Sequence, residues 1–254
     1  MHLKQNYHMH TYRCGHAVGE DRQYVEAAIA AGYETVGFSD HTPFPVGFPR
    51  NEHVRMPFEW LEGYVTSVLD LRKEYRNDIR LLLALEVEYF PQWHERWLRM
   101  VEPYPFDYFI MGQHNVGADE TEIFSSRPMK DAAILKAYVD QCIEGLQTGT
   151  YLYLAHPDLI HYTDLASPVY QSEMRRLCTF AKEHRIPLEI NLLGLSRERH
   201  YPCDAFWKIA GEVGNTVVIG ADAHDPESVL PLDALHKAEQ IIQKFNLKHE
   251  QNLL

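Results

Sequence analysis

The chain has 254 residues, of which 45% are hydrophobic and 24% charged, so it has enough apolar material for a folded core and is not a disordered chain. Its formal net charge of -12 disfavours long nucleic acids and anionic membranes as partners, because the surface repels phosphate groups. The sequence shows no signal-peptide core, no membrane-length apolar stretch and no paired cysteine motif, which together favour a cytoplasmic protein.

Seven short apolar segments are predicted to be β-strands. Most are apolar on both faces, as in Leu81–Leu85, which is typical of buried parallel strands. In chain order the predicted strands are Leu3–His8, Glu34–Ser39, Arg80–Glu86, Asp107–Gly112, Tyr151–Ala155, Pro187–Asn191 and Thr216–Gly220.

Segments with helical periodicity lie between these strands. The clearest are Arg22–Ala31, which should end at Gly32, and then Asp131–Gln147 and Tyr170–His184. We interpret their apolar stripes as core packing rather than as cofactor sites. The alternation predicts an α/β fold with a parallel sheet, and residues 1–254 are expected to form a single domain.

Closure of the sheet would give a TIM-like barrel with seven strands instead of eight. An open doubly wound sheet is the alternative, but no G-x-G-x-x-G motif follows the first strand. The segment His41–Phe58 contains four prolines and no periodicity, so it is expected to be a long, stiff connection that could cover a site as a lid.

Metal-competent side chains follow six of the seven predicted strands, at the point where each strand ends. The C-terminal ends of parallel barrel strands lie on one face, so these side chains should converge there. A single histidine at a strand end is about as often structural as functional, but independent structural histidines have no reason to collect at one face. The side chains are His8, His10, His16, Asp40, His41, Glu86, His114, His156, Asp222 and His224.

The donor types also indicate which ions could bind. His8 and His10 are separated by one residue, so on a strand both point to one side. Imidazole combined with carboxylate suits zinc, iron or manganese better than calcium or magnesium. Glu86 could bridge two ions through its two oxygens, as carboxylates do in two-metal hydrolases.

Taken together, these residues resemble the four motifs of the PHP (polymerase and histidinol phosphatase) family: His8-x-His10, Asp40-His41 with Glu86, His114 with His156, and Asp222-x-His224. The resemblance implies a distorted (β/α)7 barrel of the PHP type that binds two or three divalent ions. It assigns His8, His10, Glu86 and Asp222 to one ion, Glu86, His114 and His156 to a second, and His16, His41 and His224 to a third.

Within this family the chain is most similar to the phosphatases that act on histidinol phosphate. The similarity is carried by Ser39–Pro45, by Ala155–Ile160 and by Glu189–Arg197 with the following Tyr201-Pro202; Ile110–Asn115 departs from the usual pattern. The similarity implies hydrolysis of L-histidinol phosphate by a metal-bridging hydroxide, with Glu86, Asp222 and Arg197 as catalytic residues. Further candidates to contact the substrate are Arg197, Arg199, His161, Glu88, Phe44, Trp93 and Asp119.

The charge of the predicted metal cluster independently favours a phosphate ester. Three divalent ions carry six positive charges and the two carboxylate ligands offset two of them, so the cluster is about four units positive. A phosphate dianion offsets this charge, whereas a neutral amide or lactone does not. The alternatives are another PHP phosphatase acting on a nucleotide or small phosphoester, a nuclease, a metal-binding module without turnover, and a zinc amidohydrolase.

Overall fold

The computed structural model describes residues 2–49, 54–119 and 123–254. Within them, α/β alternation is confirmed. The strands are β1 (Gln5–Asn6), β2 (Thr35–His41), β3 (Arg80–Val87), β4 (Tyr108–Met111), β5 (Asn115–Val116), β6 (Ile123–Phe124), β7 (Leu188–Asn191), β8 (Thr216–Gly220) and β9 (Lys248–His249). The α-helices are α1 (Asp21–Ala30), α2 (Leu61–Glu74), α3 (Pro91–Val101), α4 (Ala132–Gln147), α5 (Pro168–Glu183), α6 (Leu192–Ser196), α7 (Asp204–Val213) and α8 (Leu232–Lys244).

The main sheet is parallel and curls towards closure. Strands β1 to β4 pair in chain order, and β7 pairs with β8 and β8 with β9, all in parallel. A parallel bridge between Met9 and Ala223 joins the chain after β1 to the chain after β8. The sheet therefore forms a TIM-like barrel of the predicted kind rather than an open doubly wound sheet.

The predicted strand Tyr151–Ala155 is present only as isolated bridges. Leu154 forms a parallel bridge to Met111 on one side and to Leu188 on the other. The amides of Leu152 and Ala155 donate to Phe109 and Met111 across 2.8 Å. The segment thus fills the place of a strand between β4 and β7, but it is too short and too irregular to form a continuous ladder.

Several other predicted strands and helices begin or end at different residues in the structure. The first predicted strand, Leu3–His8, is reduced to Gln5–Asn6, since the chain leaves the ladder before the histidines. The helix predicted from Arg22 begins at Asp21, and the helix predicted from Tyr170 begins at Pro168, where Ser167 caps it through the Tyr170 amide. Gly32 follows α1 with a φ of 84°, as a C-terminal glycine should.

The two faces of the sheet bury different apolar clusters. In β3 the side chains of Leu81, Leu83 and Leu85 belong to the large cluster shared with the helices, whereas Leu82 and Ala84 belong to a smaller cluster inside the barrel. Glu86 continues the inward-facing series by one more alternation. The barrel interior therefore changes from apolar to charged at the C-terminal ends of the strands, which is where the site lies.

The C-terminal segment closes the opposite end of the barrel. After β9, which pairs with β8, the amide of Leu253 donates to the Tyr7 hydroxyl, and the Arg80 guanidinium donates to the carbonyl of Leu254. Leu253 also packs against the interior cluster. This pairing had no signal in the apolar pattern of the sequence, because the segment is largely polar.

The connection predicted for His41–Phe58 is shorter at both ends, because His41 is the last residue of β2 and Phe58 begins a 3₁₀ helix. Its residues 50–53 lie outside the described part of the chain. The stacked rings of Phe44 and Phe48, with centroids 4.1 Å apart, both pack against Phe90, which precedes α3. No α-helix in the described ranges is long and apolar enough to span a membrane. The bond before Pro157 is trans, whereas Tyr201–Pro202 is cis.

Candidate metal centre and active site

The structure brings all nine predicted ligands to one end of the barrel. They lie at or beyond the C-terminal ends of the barrel strands and of the strand-like segment Tyr151–Ala155, so residues far apart in sequence meet around Glu86. Most of them are fully buried, and His16 is the most exposed member. The nine are His8, His10, His16, His41, Glu86, His114, His156, Asp222 and His224.

The first set consists of His8, His10, Glu86 and Asp222. The Nε2 atoms of the two histidines lie 3.1 Å apart, and His10 Nε2 lies 3.0 Å from Asp222 Oδ1. Glu86 Oε2 lies 3.5 Å from both Nε2 atoms. Separations of this size are what two ligands of one tetrahedral ion require, since each sits about 2.0–2.2 Å from a zinc centre.

The second set forms around the other oxygen of Glu86. His156 Nε2 lies 2.8 Å from Glu86 Oε1, and His114 Nε2 lies 3.7 Å from it. His8, Glu86 and His156 form a tight group, with all ligand atoms within 4.8 Å of one another, whereas His114 belongs to no such group among the described residues. His114 therefore stands slightly further from the other donors than the predicted set implies.

The third set contains His16, His41 and His224, whose ligand atoms lie within 4.8 Å of one another. The Nε2 atoms of His16 and His224 are 3.0 Å apart. His41 Nδ1 also lies 2.9 Å from Glu86 Oε2, which connects this set to the first. The buried thiol of Cys14 also lies within 4.8 Å of ligand atoms of His10 and His224, a contact that the sequence pattern does not predict.

Local backbone geometry is specialised at the site. His156 and Asp222 have φ values of 59° and 51°, in the left-handed region that residues with a Cβ seldom adopt. Such conformations persist where surrounding structure enforces them, and they concentrate at functional sites. Gly112 is also constrained, because a Cβ atom there would lie 1.9 Å from Glu86 Oε1.

The carboxylate at the centre of the site is buried without a well-formed hydrogen bond. Both oxygens of Glu86 lack one, although imidazole nitrogens lie close to them. Buried polar atoms are almost always paired, so a buried carboxylate that is left unpaired among imidazoles is expected to bind a ligand. Two carboxylates and seven imidazoles fit divalent transition-metal ions.

The pKa values of the ligand residues show how the buried carboxylates and imidazoles affect one another without metal ions. Burial opposes ionisation of Glu86, but His41, His114 and His8 hold its pKa well below the usual value. Burial likewise opposes protonation of His10, yet hydrogen bonds to Asp222 and Asp40 raise its pKa to about 9. Burial lowers the pKa of His114 to about 3. Without cations the negative charge at the centre therefore attracts protons to His10.

A pocket of about 740 Å³ opens over these residues. Four arginines line it together with the acids Glu88 and Asp222, and Phe124, Leu159 and Leu193 supply apolar surface. A pocket with cationic walls above a cation-binding floor suits an anionic ligand. The four arginines are Arg55, Arg127, Arg197 and Arg199.

The predicted pair Arg197 and Arg199 reaches the pocket through α6. This short helix follows β7 directly, and the Asn191 side chain caps it by accepting from the Gly194 amide across 2.9 Å. Arg197 keeps 63% of its side chain exposed and lies 4.0 Å from Asp225. Arg199 donates to the Tyr201 hydroxyl across 2.9 Å, so it is held more firmly than Arg197.

Glu88 lines the pocket, but both of its oxygens are engaged. Arg55 Nη2 donates to Oε1 and the Asn115 amide donates to Oε2, each across 2.7 Å. Burial raises the pKa of Glu88 to about 7 in spite of these donors. The carboxylate therefore anchors Arg55 and the chain beside His114, and its contact with the substrate stays a prediction.

The other predicted substrate contacts lie outside the pocket lining. Phe44 packs beneath the Arg55 guanidinium, 4.9 Å from its ring centre, and Trp93 packs against Phe48. The ring of His161 stacks on His200 with centroids 3.9 Å apart. Asp119 is half-buried and is not part of the lining.

Some residues at the site were missed. Arg55 and Arg127 come from irregular segments whose position no periodicity reports. Glu189, in contrast, had a readable signal: it is an acid between two apolar residues of a predicted buried strand. In the structure it is fully buried and accepts a hydrogen bond from the Asn191 side chain across 2.9 Å.

The sequence is similar to those of known proteins. The PHP domain matches residues 6–192. A Deinococcus radiodurans protein named "Probable histidinol-phosphatase" is 28% identical over 228 residues, covering 87% of this chain and 86% of that protein. The histidinol-phosphatase of Bacillus subtilis is 25% identical, covering 89% and 95%.

A solved structure shows the same fold. The histidinol phosphate phosphatase of Lactococcus lactis, in complex with zinc, L-histidinol and phosphate, aligns with a TM-score of 0.72 and 21% identity, covering 97% of this chain and 95% of that one. The PHP domain occupies well over half of the present chain, and all the predicted ligand positions meet at one site. The chain belongs to the PHP family.

Proposed function

We propose that this protein is a metal-dependent phosphomonoesterase that hydrolyses L-histidinol phosphate to L-histidinol and phosphate. The observation that carries the proposal is the arrangement of the pocket: nine metal-competent side chains cluster at its base, five of them line it directly, and four arginines form its wall. Relatives over most of their length are named histidinol-phosphatases, and one binds zinc, L-histidinol and phosphate.

The donor set suits two or three ions of zinc, iron or manganese. His8, His10, Glu86 and Asp222 would hold the first, and Glu86 with His156 and His114 the second. When bound, such ions polarise phosphoryl oxygens and lower the pKa of water towards ~7. The third would be held by His16, His41 and His224.

The protein residues would then bind and orient the ester. Arg197 is exposed enough to move onto a phosphate oxygen, and guanidinium groups bind phosphate through paired hydrogen bonds. Arg199, which Tyr201 holds in place, would supply a second fixed positive charge. Leu159, Leu193 and Phe124 offer apolar contacts for the imidazole end of the substrate.

The size of the pocket favours a second candidate, a different small phosphoester or a nucleotide. About 740 Å³ lies in the upper part of the range of small-molecule sites and leaves room for a substrate larger than histidinol phosphate. A cytoplasmic location, a single domain and the absence of nucleic-acid partners stay predictions.

The test is phosphate release from L-histidinol phosphate compared with release from a nucleoside monophosphate, a sugar phosphate and p-nitrophenyl phosphate under identical conditions. We expect turnover near ~10 per second for histidinol phosphate and a kcat/KM at least tenfold above the other esters. Preference for another ester would reject the substrate while keeping the reaction. Release of no phosphate from any ester by protein with its ions bound would reject both.

A further inference from the structure

A buried carboxylate lies directly behind the ligand set, on the side away from the pocket. Glu189, in β7, is fully buried in the barrel interior, and its Oε1 lies 2.8 Å from His8 Nδ1. The Tyr153 hydroxyl also donates to Oε1 across 3.3 Å, and the Asn191 side-chain amide donates to Oε2 across 2.9 Å. The Tyr153 hydroxyl and the Asn191 amide both donate, which is the surrounding that an ionised carboxylate requires.

The contact with Glu189 determines which nitrogen of His8 faces the ions. An ionised carboxylate only accepts hydrogen bonds, so His8 Nδ1 must carry a hydrogen. The other nitrogen, Nε2, points towards Glu86 Oε2 and Asp222 Oδ1, at 3.5 Å from each. In this tautomer Nε2 has a free lone pair to coordinate an ion, and the ring cannot rotate without breaking the 2.8 Å contact.

Asn191 links Glu189 by hydrogen bonds to a second predicted metal ligand, Asp222. Its side-chain amide donates to Glu189 Oε2 and also to Asp222 Oδ2, across 2.9 and 3.0 Å. The position of Glu189 is enforced from the neighbouring strand, where a Cβ at Gly220 would lie 1.8 Å from Oε1. Any larger residue at Gly220 would displace the carboxylate.

We propose that Glu189 is a positioning residue for the metal centre: it fixes the tautomer and orientation of His8, and through Asn191 it orients Asp222. The inference rests on the proposed function only in requiring that the site binds divalent ions. It also adds a third negative charge close to the cluster, so the net charge that attracts the phosphate is lower by one than the ligands alone imply.

The test compares E189Q with wild type and with Y153F, a control that removes one hydrogen bond to Glu189 but keeps the charge. Zinc affinity is measured by competition with a fluorescent chelator, without substrate. Residues that orient metal ligands typically contribute 10- to 100-fold in affinity, so we expect E189Q to lose at least tenfold at the tightest site and Y153F less than threefold. The ¹⁵N and ¹H resonances of the His8 Nδ1–H group in zinc-bound protein should shift in E189Q.

An E189Q protein with wild-type zinc affinity and an unchanged His8 resonance would overturn the proposal. If E189Q does not fold, E189D replaces it: the charge is kept but the 2.8 Å contact is lengthened, and an affinity equal to wild type would again overturn it. Because no substrate is used, failure of the histidinol phosphate assay leaves this result unaffected, and an unchanged affinity leaves the proposed function standing.

Discussion

Gly112 offers a sharp test of the role of Glu86, because the substitution G112A leaves every proposed ligand chemically unchanged. An added Cβ would lie 1.9 Å from Glu86 Oε1 and 2.6 Å from its carboxyl carbon, whereas real Cβ contacts stay beyond 3.0 Å. The φ of Gly112 is not in the left-handed region, so the backbone itself tolerates alanine. The carboxylate must therefore move by about 1.1 Å or more.

A displacement of that size is large on the scale of metal coordination, where distances are held to about ±0.2 Å. Misplacement by ~1 Å typically lowers the rate about 100-fold, and forcing a methyl group into a packed interior costs about 1–3 kcal/mol. We expect G112A to lose at least one equivalent of bound metal and about 100-fold in kcat/KM, while the protein stays folded.

The matched control is G63A in α2, where a Cβ would meet nothing within 4 Å. Removing a glycine from an exposed helix should raise stability by about 1 kcal/mol and leave activity unchanged. Metal content is measured by elemental analysis and activity by phosphate release. If G112A keeps the metal content and kcat/KM of wild type within threefold, Glu86 is not the shared ligand that its position implies.

Three further predictions concern the pocket, the pH dependence and the core. R197M should lower kcat/KM for histidinol phosphate by about 10- to 100-fold, the value of a hydrogen bond to a charged group, whereas R175M on the exposed face of α5 should change it less than twofold in the same assay. In metal-stripped protein the pKa of His10 is raised to about 9, so His10 stabilises the folded state fully below pH 6.5 and this stabilisation is lost as pH rises towards 9. The pKa of His114 is lowered to about 3, so the unfolded state binds a proton first and the folded state loses stability as pH falls below 6.5. Thermal unfolding of the stripped protein should therefore show a maximum near pH 6.5, and a steady rise up to pH 9 would contradict this charge distribution. L85A, at a fully buried position of β3, should lower the free energy of unfolding by about 2–5 kcal/mol in urea titrations, and a loss below ~1 kcal/mol would mean that the core is not packed as described.

The ligand residues were predictable because their pattern depends on chain direction alone. A histidine that follows a parallel strand must lie at the C-terminal end of the barrel whatever the helices do, so His114 and Asp222 could be placed together without coordinates. The prediction did not include the residues that support the ligands. The sequence shows that Glu189 is an acid in an apolar strand, but only the structure shows that it contacts His8.

The contacts of the pocket wall could not be predicted, because they join irregular segments to the barrel. Arg55 pairs with Glu88 Oε1 from a connection without periodicity, and the Asn115 amide donates to Oε2, so both oxygens of Glu88 have partners that the sequence pattern does not show. The segment Tyr151–Ala155 was predicted as a full strand from its apolar pattern. An apolar pattern predicts that a segment is buried, and this segment is buried. The pattern does not predict how many ladder hydrogen bonds the segment forms with neighbouring strands.

The most direct test of the account is to strip the protein of metal and titrate it with zinc or manganese while phosphate release from L-histidinol phosphate is followed. We predict no turnover in the stripped protein, and recovery that saturates at two or three equivalents of ion per chain. Full activity without bound ions would contradict the account, and so would two or three bound equivalents that restore no hydrolysis of any phosphomonoester.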